Sequence, residues 1–158
     1  MTYIHWGTDK FEKERFRPVS CNPYLNKPVG GFWCCEEQEL QWNEWSIENL
    51  EIKKMNLDKC VKFTLKSDSN ILLIDSLETV QKLSESYPMQ ARPMIMDFFL
   101  QVKETRISNF IDWKRIAKQY DAIAFQNFYR YSRECDGIDL NSVCICNPDT
   151  MIILSQGV

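Results

Sequence analysis

Seven short runs of β-branched, aromatic or apolar residues are scattered along the chain, and their irregular spacing limits the fold more than any motif does. They read TYIHW (2–6), GGFWCC (30–35), CVKFTL (60–65), ILLID (71–75), DAIAF (121–125), SVCIC (142–146) and MIIL (151–154). Each has the length and composition of a strand. Helical patterns fall between some of them. EEQELQWNEWSIENL (36–50) places acidic residues in a first turn, where they complement the helix dipole, and spaces Leu40, Trp42 and Trp45 partly as a helix does. Ser76 to Ser86 sets Leu77, Val80 and Leu83 on one face, with Pro88 as the stop. A further helix is predicted from about Arg92, with Pro93 in its first turn and MIMDFFLQV on its buried side. Another runs from about Ile111 to Tyr120, with Asp112 and Trp113 serving capping and packing.

Residues 9–28 are charged, then rich in Pro, Asn and Ser, and read as a long loop or a short helix and loop. The turn-forming KSDSN between CVKFTL and ILLID predicts a hairpin, and NPDT separates the last two strands. Strands and helices thus interleave without regular alternation. That order points to a mixed α+β domain rather than a doubly wound parallel sheet.

The chain has 158 residues, enough for one domain with a real core and too few for two, so 1–158 is expected to be a single domain. The aromatic share of 13% calls for either an aromatic core or an aromatic-lined cavity. A net charge of -3 supplies no global attraction to nucleic acid, although it leaves nucleic acid open as a substrate. No basic start followed by an apolar region opens the chain, and no run approaches the roughly 18 apolar residues of a membrane span. A soluble, cytoplasmic protein with no membrane partner is expected. The seven cysteines are odd in number and lack a C-x-x-C pair or a second histidine, which favours buried, reduced thiols and no metal.

Phosphate loops, dinucleotide fingerprints, nucleophile elbows and zinc-protease helices are all missing from the sequence. The chemistry must come from elsewhere. His5, the only histidine, sits in the first strand two residues before Gly7, and a glycine allows a ligand to approach the backbone closely. Three of the five tryptophans, Trp33, Trp42 and Trp45, crowd behind Gly30 and Gly31.

IHWGT, the GGFW run followed twelve residues later by Trp45, and GIDLNSVCIC before the last strands together resemble the ADP-ribosyltransferase fold. The likeness is to its histidine, tyrosine and acid branch. The back half, with IDWKRIAKQYDAIAF and DLNSVCICNPDTMIIL, also resembles small bacterial and phage proteins of similar pattern. The resemblance implies a mixed, largely antiparallel split sheet with flanking helices that binds NAD. It assigns His5 to a ribose hydroxyl, Gly7 to the nicotinamide carboxamide, and Thr8 to the same cofactor-binding strand end. Trp33 and Trp45 become the two walls around the nicotinamide ring, with Trp33 standing where the family has tyrosine. Stacking and cation–π attraction suit indole faces to that electron-poor ring. Trp42 is assigned to the core.

Asp139, three residues before Ser142, takes the acid's place, an aspartate where the family usually has glutamate. Glu134 and Asp136 read as solvated loop carboxylates. Tyr24 is expected to cover the pocket, and Arg15 and Arg17 are candidates for the pyrophosphate. The implied activity is an NAD-dependent ADP-ribosyltransferase of toxin or effector type, with a protein or nucleic-acid acceptor and an antitoxin or host protein as further partner. A non-catalytic binding or inhibitor module of the same fold is the alternative. An RNA 2'-phosphotransferase of related fold fits less well, because it needs several basic and histidine phosphate ligands.

Overall fold

A computed structural model describes residues 1–38, 59–90 and 105–156. The helix expected over 36–50 does not begin at Glu36, which is strand and is followed by a turn at 37–38; the rest of it, with Trp42 and Trp45, and the helix expected from Arg92 lie outside the described residues. Strands β1 (Tyr3–Trp6), β4 (Phe32–Glu36), β5 (Cys60–Leu65), β6 (Ile71–Ile74), β7 (Ala122–Phe125), β8 (Ser142–Ile145) and β9 (Met151–Gln156) form one sheet in the order β6-β7-β8-β4-β1-β5-β9. All seven apolar runs of the sequence therefore become its strands. Only β6 and β7 pair in parallel; the other neighbours are antiparallel. Two short strands, β2 (Ser20–Cys21) and β3 (Pro28–Val29), pair with each other inside the expected loop. The fold is mixed α+β with a predominantly sheet core.

The expected hairpin of CVKFTL and ILLID does not form. KSDSN does turn, with the Ser69 amide donating to the Lys66 carbonyl at 3.1 Å, but the chain leaves one region of the sheet for another. β5 pairs with β1 and β9, whereas β6 lies at the far edge beside β7. Asp121 explains the capture of β6. Its carboxylate accepts from the Asn70 amide at 2.9 Å and from Asn147 Nδ2 at 2.8 Å, and its backbone carbonyl accepts from the amides of Cys146 and Asn147. One residue thus ties together the approaches to β6 and β7 and the exit of β8.

Helix α1 (Leu77–Ser86) begins one residue later than expected, with Ser76 as its cap, Oγ accepting from the Thr79 amide. Val80 and Leu83 are buried, and the helix gives way at Tyr87, just before Pro88. Helix α2 (Trp113–Ile116) is a single turn capped by Asp112, shorter than the expected run to Tyr120. The Gln119 amide bonds back to the Ile116 carbonyl at 2.8 Å, a tight turn that redirects the chain into β7.

Side-chain alternation divides the core between the sheet's two faces. Ile123, Phe125 and Cys144 pack with Trp33, Val80, Trp113 and Ile116 on the helix-covered face. Ala122, Ala124, Val143 and Ile145 pack with Tyr3, Phe32, Cys34 and Phe63 on the other. No helix among the described residues is long and apolar enough to cross a membrane.

Candidate functional site

The glycine pair sets the geometry at the start of β4. Gly30 and Gly31 have φ of 80° and 68°. A Cβ on Gly30 would stand 2.5 Å from the Pro18 carbonyl oxygen, and one on Gly31 would stand 2.5 Å from Cys144 Sγ and 2.9 Å from the Ile145 carbonyl oxygen. The close approach that demands glycine here is made by the protein's own chain. The Gly31 amide donates to the Arg17 carbonyl at 2.7 Å, closing the loop over β4.

Beyond the glycines, Phe32 and Trp33 point to opposite faces. Trp33 stacks on Phe125, with ring centroids 5.9 Å apart, and its Nε1 donates to the Gly30 carbonyl at 3.0 Å. Its half-buried indole lines a cleft of about 270 Å³ with Lys27, Gly137, Asp139 and Ser142. Lys27 Nζ reaches the Gly137 carbonyl at 3.4 Å, so an ammonium, an indole and the exposed Asp139 carboxylate border one space. The structure brings Trp33 and Asp139 together across 106 residues of sequence because β8, which Asp139 precedes, pairs with β4.

His5 approaches the same strand from β1. Its ring stacks on Phe32, centroids 4.2 Å apart, and Nδ1 lies 2.5 Å from the Trp33 carbonyl oxygen. Because a carbonyl can only accept, Nδ1 carries the proton, and Nε2 of the neutral ring is left as an acceptor. Burial lowers the His5 pKa, and the bond to Trp33 only partly opposes this. His5 and Trp33 are therefore coupled through a backbone carbonyl while their rings occupy opposite faces.

The remaining expected residues spread out. Gly7 has φ 96° and donates its amide to the Lys59 carbonyl at 2.9 Å, which ties that donor to the sheet. Thr8 lines a second cleft, of about 390 Å³, with Arg15, Arg17, Gly31 and Phe32. Arg15 is paired there with Glu12. Tyr24 is 65% exposed and is not among the lining residues of either cleft. Trp45 lies outside the described residues.

Glu134 corrects the expectation of a solvated loop carboxylate. It is fully buried, and burial pushes its carboxyl up, but the hydrogen bonds and charge of Arg106 prevail and hold it below the usual glutamate range. Arg106 reaches Oε1 through Nε at 2.9 Å and through its backbone amide at 3.1 Å. Asn26, also buried, donates to the Glu134 carbonyl at 2.7 Å and accepts from the Ile111 amide at 2.9 Å. Neither role had a local signal in the sequence, since the partners stand 28 and 108 positions from Glu134.

The seven cysteines form no disulfide, and five of them are buried. Among the described residues no three His, Cys, Asp or Glu side chains form a group able to hold a metal ion. Comparison of the chain with family models, with curated proteins and with solved structures finds no match.

Proposed function

We propose that the protein is an NAD-dependent ADP-ribosyltransferase of toxin or effector type, acting at the cleft between Trp33 and Asp139. The observation that carries this reading is the pairing of β4 with β8, which brings the Trp33 indole and the Asp139 carboxylate to one cleft, with His5 on β1 holding the Trp33 carbonyl from behind. At about 270 Å³ the cleft lies at the small end of ligand pockets, room for a planar ring and a sugar with the rest of the dinucleotide outside.

In this reading the nicotinamide ring lies against the Trp33 indole. As the bond between C1' and the nicotinamide nitrogen breaks, the electron pair leaves with nicotinamide, and positive charge develops on the ribose. The Asp139 carboxylate opposes that charge. An acceptor nucleophile then bonds to C1' and gives up its proton. His5 holds the Trp33 carbonyl from the other face of the sheet, and so steadies the strand that presents the indole, which makes it a positioning residue rather than a ribose ligand. Lys27 offers a cation to the phosphates.

The engaged Gly7 amide and the opposite facing of His5 and Trp33 favour a second reading, a non-catalytic binding module. Nicotinamide release from NAD separates the two. Release by the wild type that falls by about 100-fold or more in Asp139→Ala supports the enzyme. No release above the buffer rate, with or without cell lysate as acceptor, overturns it in favour of the binding module.

A further inference from the structure

The connection from β7 to β8 carries a second feature, separate from the cleft. Its first turn reads FYRYSR, residues 128–133, and sorts its side chains sharply. Tyr131 and Glu134 point inward and are fully buried, whereas Tyr129, Arg130, Ser132 and Arg133 are exposed. The inward side is firmly held. The Tyr131 hydroxyl lies 2.8 Å from the carbonyl oxygens of both Ile74 and Gln126, and Glu134 is fixed by Arg106. Asn127 enters the turn in the left-handed region, with φ 52°, the only positive φ outside glycine among the described residues. Asparagine takes this conformation more readily than other side chains, and it sets the direction in which the chain turns.

On the outward side, Arg130 lies over the Tyr129 ring at 5.8 Å, and Tyr129 remains 64% exposed. Arg106 Nη2 donates to the Arg130 carbonyl at 3.2 Å, which sets a second guanidinium against the same turn. Arg133, two residues on from Tyr131, is exposed on the same turn. The one carboxylate bonded to these arginines among the described residues, Glu134, is buried beneath them and engaged by Arg106. With Arg106 balanced by Glu134, Arg130 and Arg133 leave a local positive excess beside an open aromatic ring in a chain of net charge -3.

We infer that Tyr129, Arg130 and Arg133 form a binding platform for single-stranded nucleic acid, with the Arg106–Glu134 pair holding the turn beneath them. The Tyr129 ring stacks a base and the arginines meet neighbouring phosphates. Stacking on an aromatic ring with cations flanking the backbone is the physical basis of sequence-tolerant single-strand binding. An acidic peptide would satisfy the arginines but gives the exposed tyrosine face nothing to do. The platform does not depend on NAD, and its test uses none.

The experiment is fluorescence anisotropy of a labelled oligothymidylate of about 12 nucleotides, titrated with the full chain at several salt concentrations. Saturable binding is expected, weakened about tenfold in Tyr129→Ala, retained in Tyr129→Phe, and unchanged in Lys82→Gln on α1. In the Arg130→Gln, Arg133→Gln double variant the slope of log affinity against log salt should fall by about 1.4, roughly 0.7 for each phosphate no longer neutralised. All the altered side chains are exposed, and circular dichroism checks that each variant is folded. No saturable binding by the wild type, equal binding by Tyr129→Ala, or displacement of the oligonucleotide by polyglutamate as readily as by unlabelled oligothymidylate would overturn the proposal.

Discussion

At the scale of single residues, burial decides which charged groups the fold depends on. Glu134 has no exposed surface, and its ionised form persists only because Arg106 engages both carboxylate oxygens. Replacing Arg106 by Met should cost about 1–3 kcal/mol in urea unfolding, the penalty of stranding a buried acceptor. His5 works in the opposite sense, because burial favours its neutral form. Its folded pKa lies below the unfolded value near 6.5, so the unfolded chain binds the proton more readily in the interval between them. Stability from this residue is complete above about pH 6.5 and is lost as pH falls through the folded pKa. Unfolding midpoints measured from pH 7.5 to 5 should decline in the wild type and decline less in His5→Phe. Gly31→Ala would place a methyl group against Cys144 Sγ and the Ile145 carbonyl at positive φ, and should lower stability by about 1–3 kcal/mol in the same assay. Glu134 and Asn26 were invisible in the sequence because their partners are distant along the chain, whereas the glycine pair was visible and its reason was not: the close approach is to the protein's own backbone and a thiol.

At the scale of elements, local signals located strands and caps well and pairings poorly. Asp112 caps its helix as expected, and Ser76, expected as the first residue of its helix, is the cap instead, since capping is settled within one turn of chain. Strand neighbours are chosen over long separations. Nothing within KSDSN reveals that β6 will leave β5 for a parallel place beside β7, because the choice rests on Asp121, about fifty residues on. Asp121→Ala removes the acceptor of the Asn70 amide and of Asn147 Nδ2 together. Hydrogen exchange should show the Asn70 amide losing protection while the β1–β5 ladder keeps its own. If both regions loosen alike, Asp121 supports the whole sheet rather than its β6 edge. The short α2 has a related cause: the tight turn after Ile116 starts the approach to β7 before the helical pattern of 111–120 is spent.

At the scale of the whole molecule, the sheet joins two apolar layers, and β4 contributes to both. Phe32 and Cys34 belong to one layer and Trp33 to the other, while His5 grips the strand between them through the Trp33 carbonyl. Of the three tryptophans behind the glycine pair, Trp33 is accounted for, an indole with one face on Phe125 that borders the Asp139 cleft. The candidate site was legible in the sequence as a set of residue types. The division of those residues between two faces and two clefts was not, because strand alternation sends neighbours apart and only the sheet order reveals where they go. The central claim is that the cleft beside Trp33 holds the nicotinamide end of NAD. Intrinsic tryptophan fluorescence during NAD titration tests it most directly. Saturable quenching in the wild type and in Asp139→Ala, abolished in Trp33→Phe, is the predicted result; no saturable change, or equal quenching in Trp33→Phe, would contradict it.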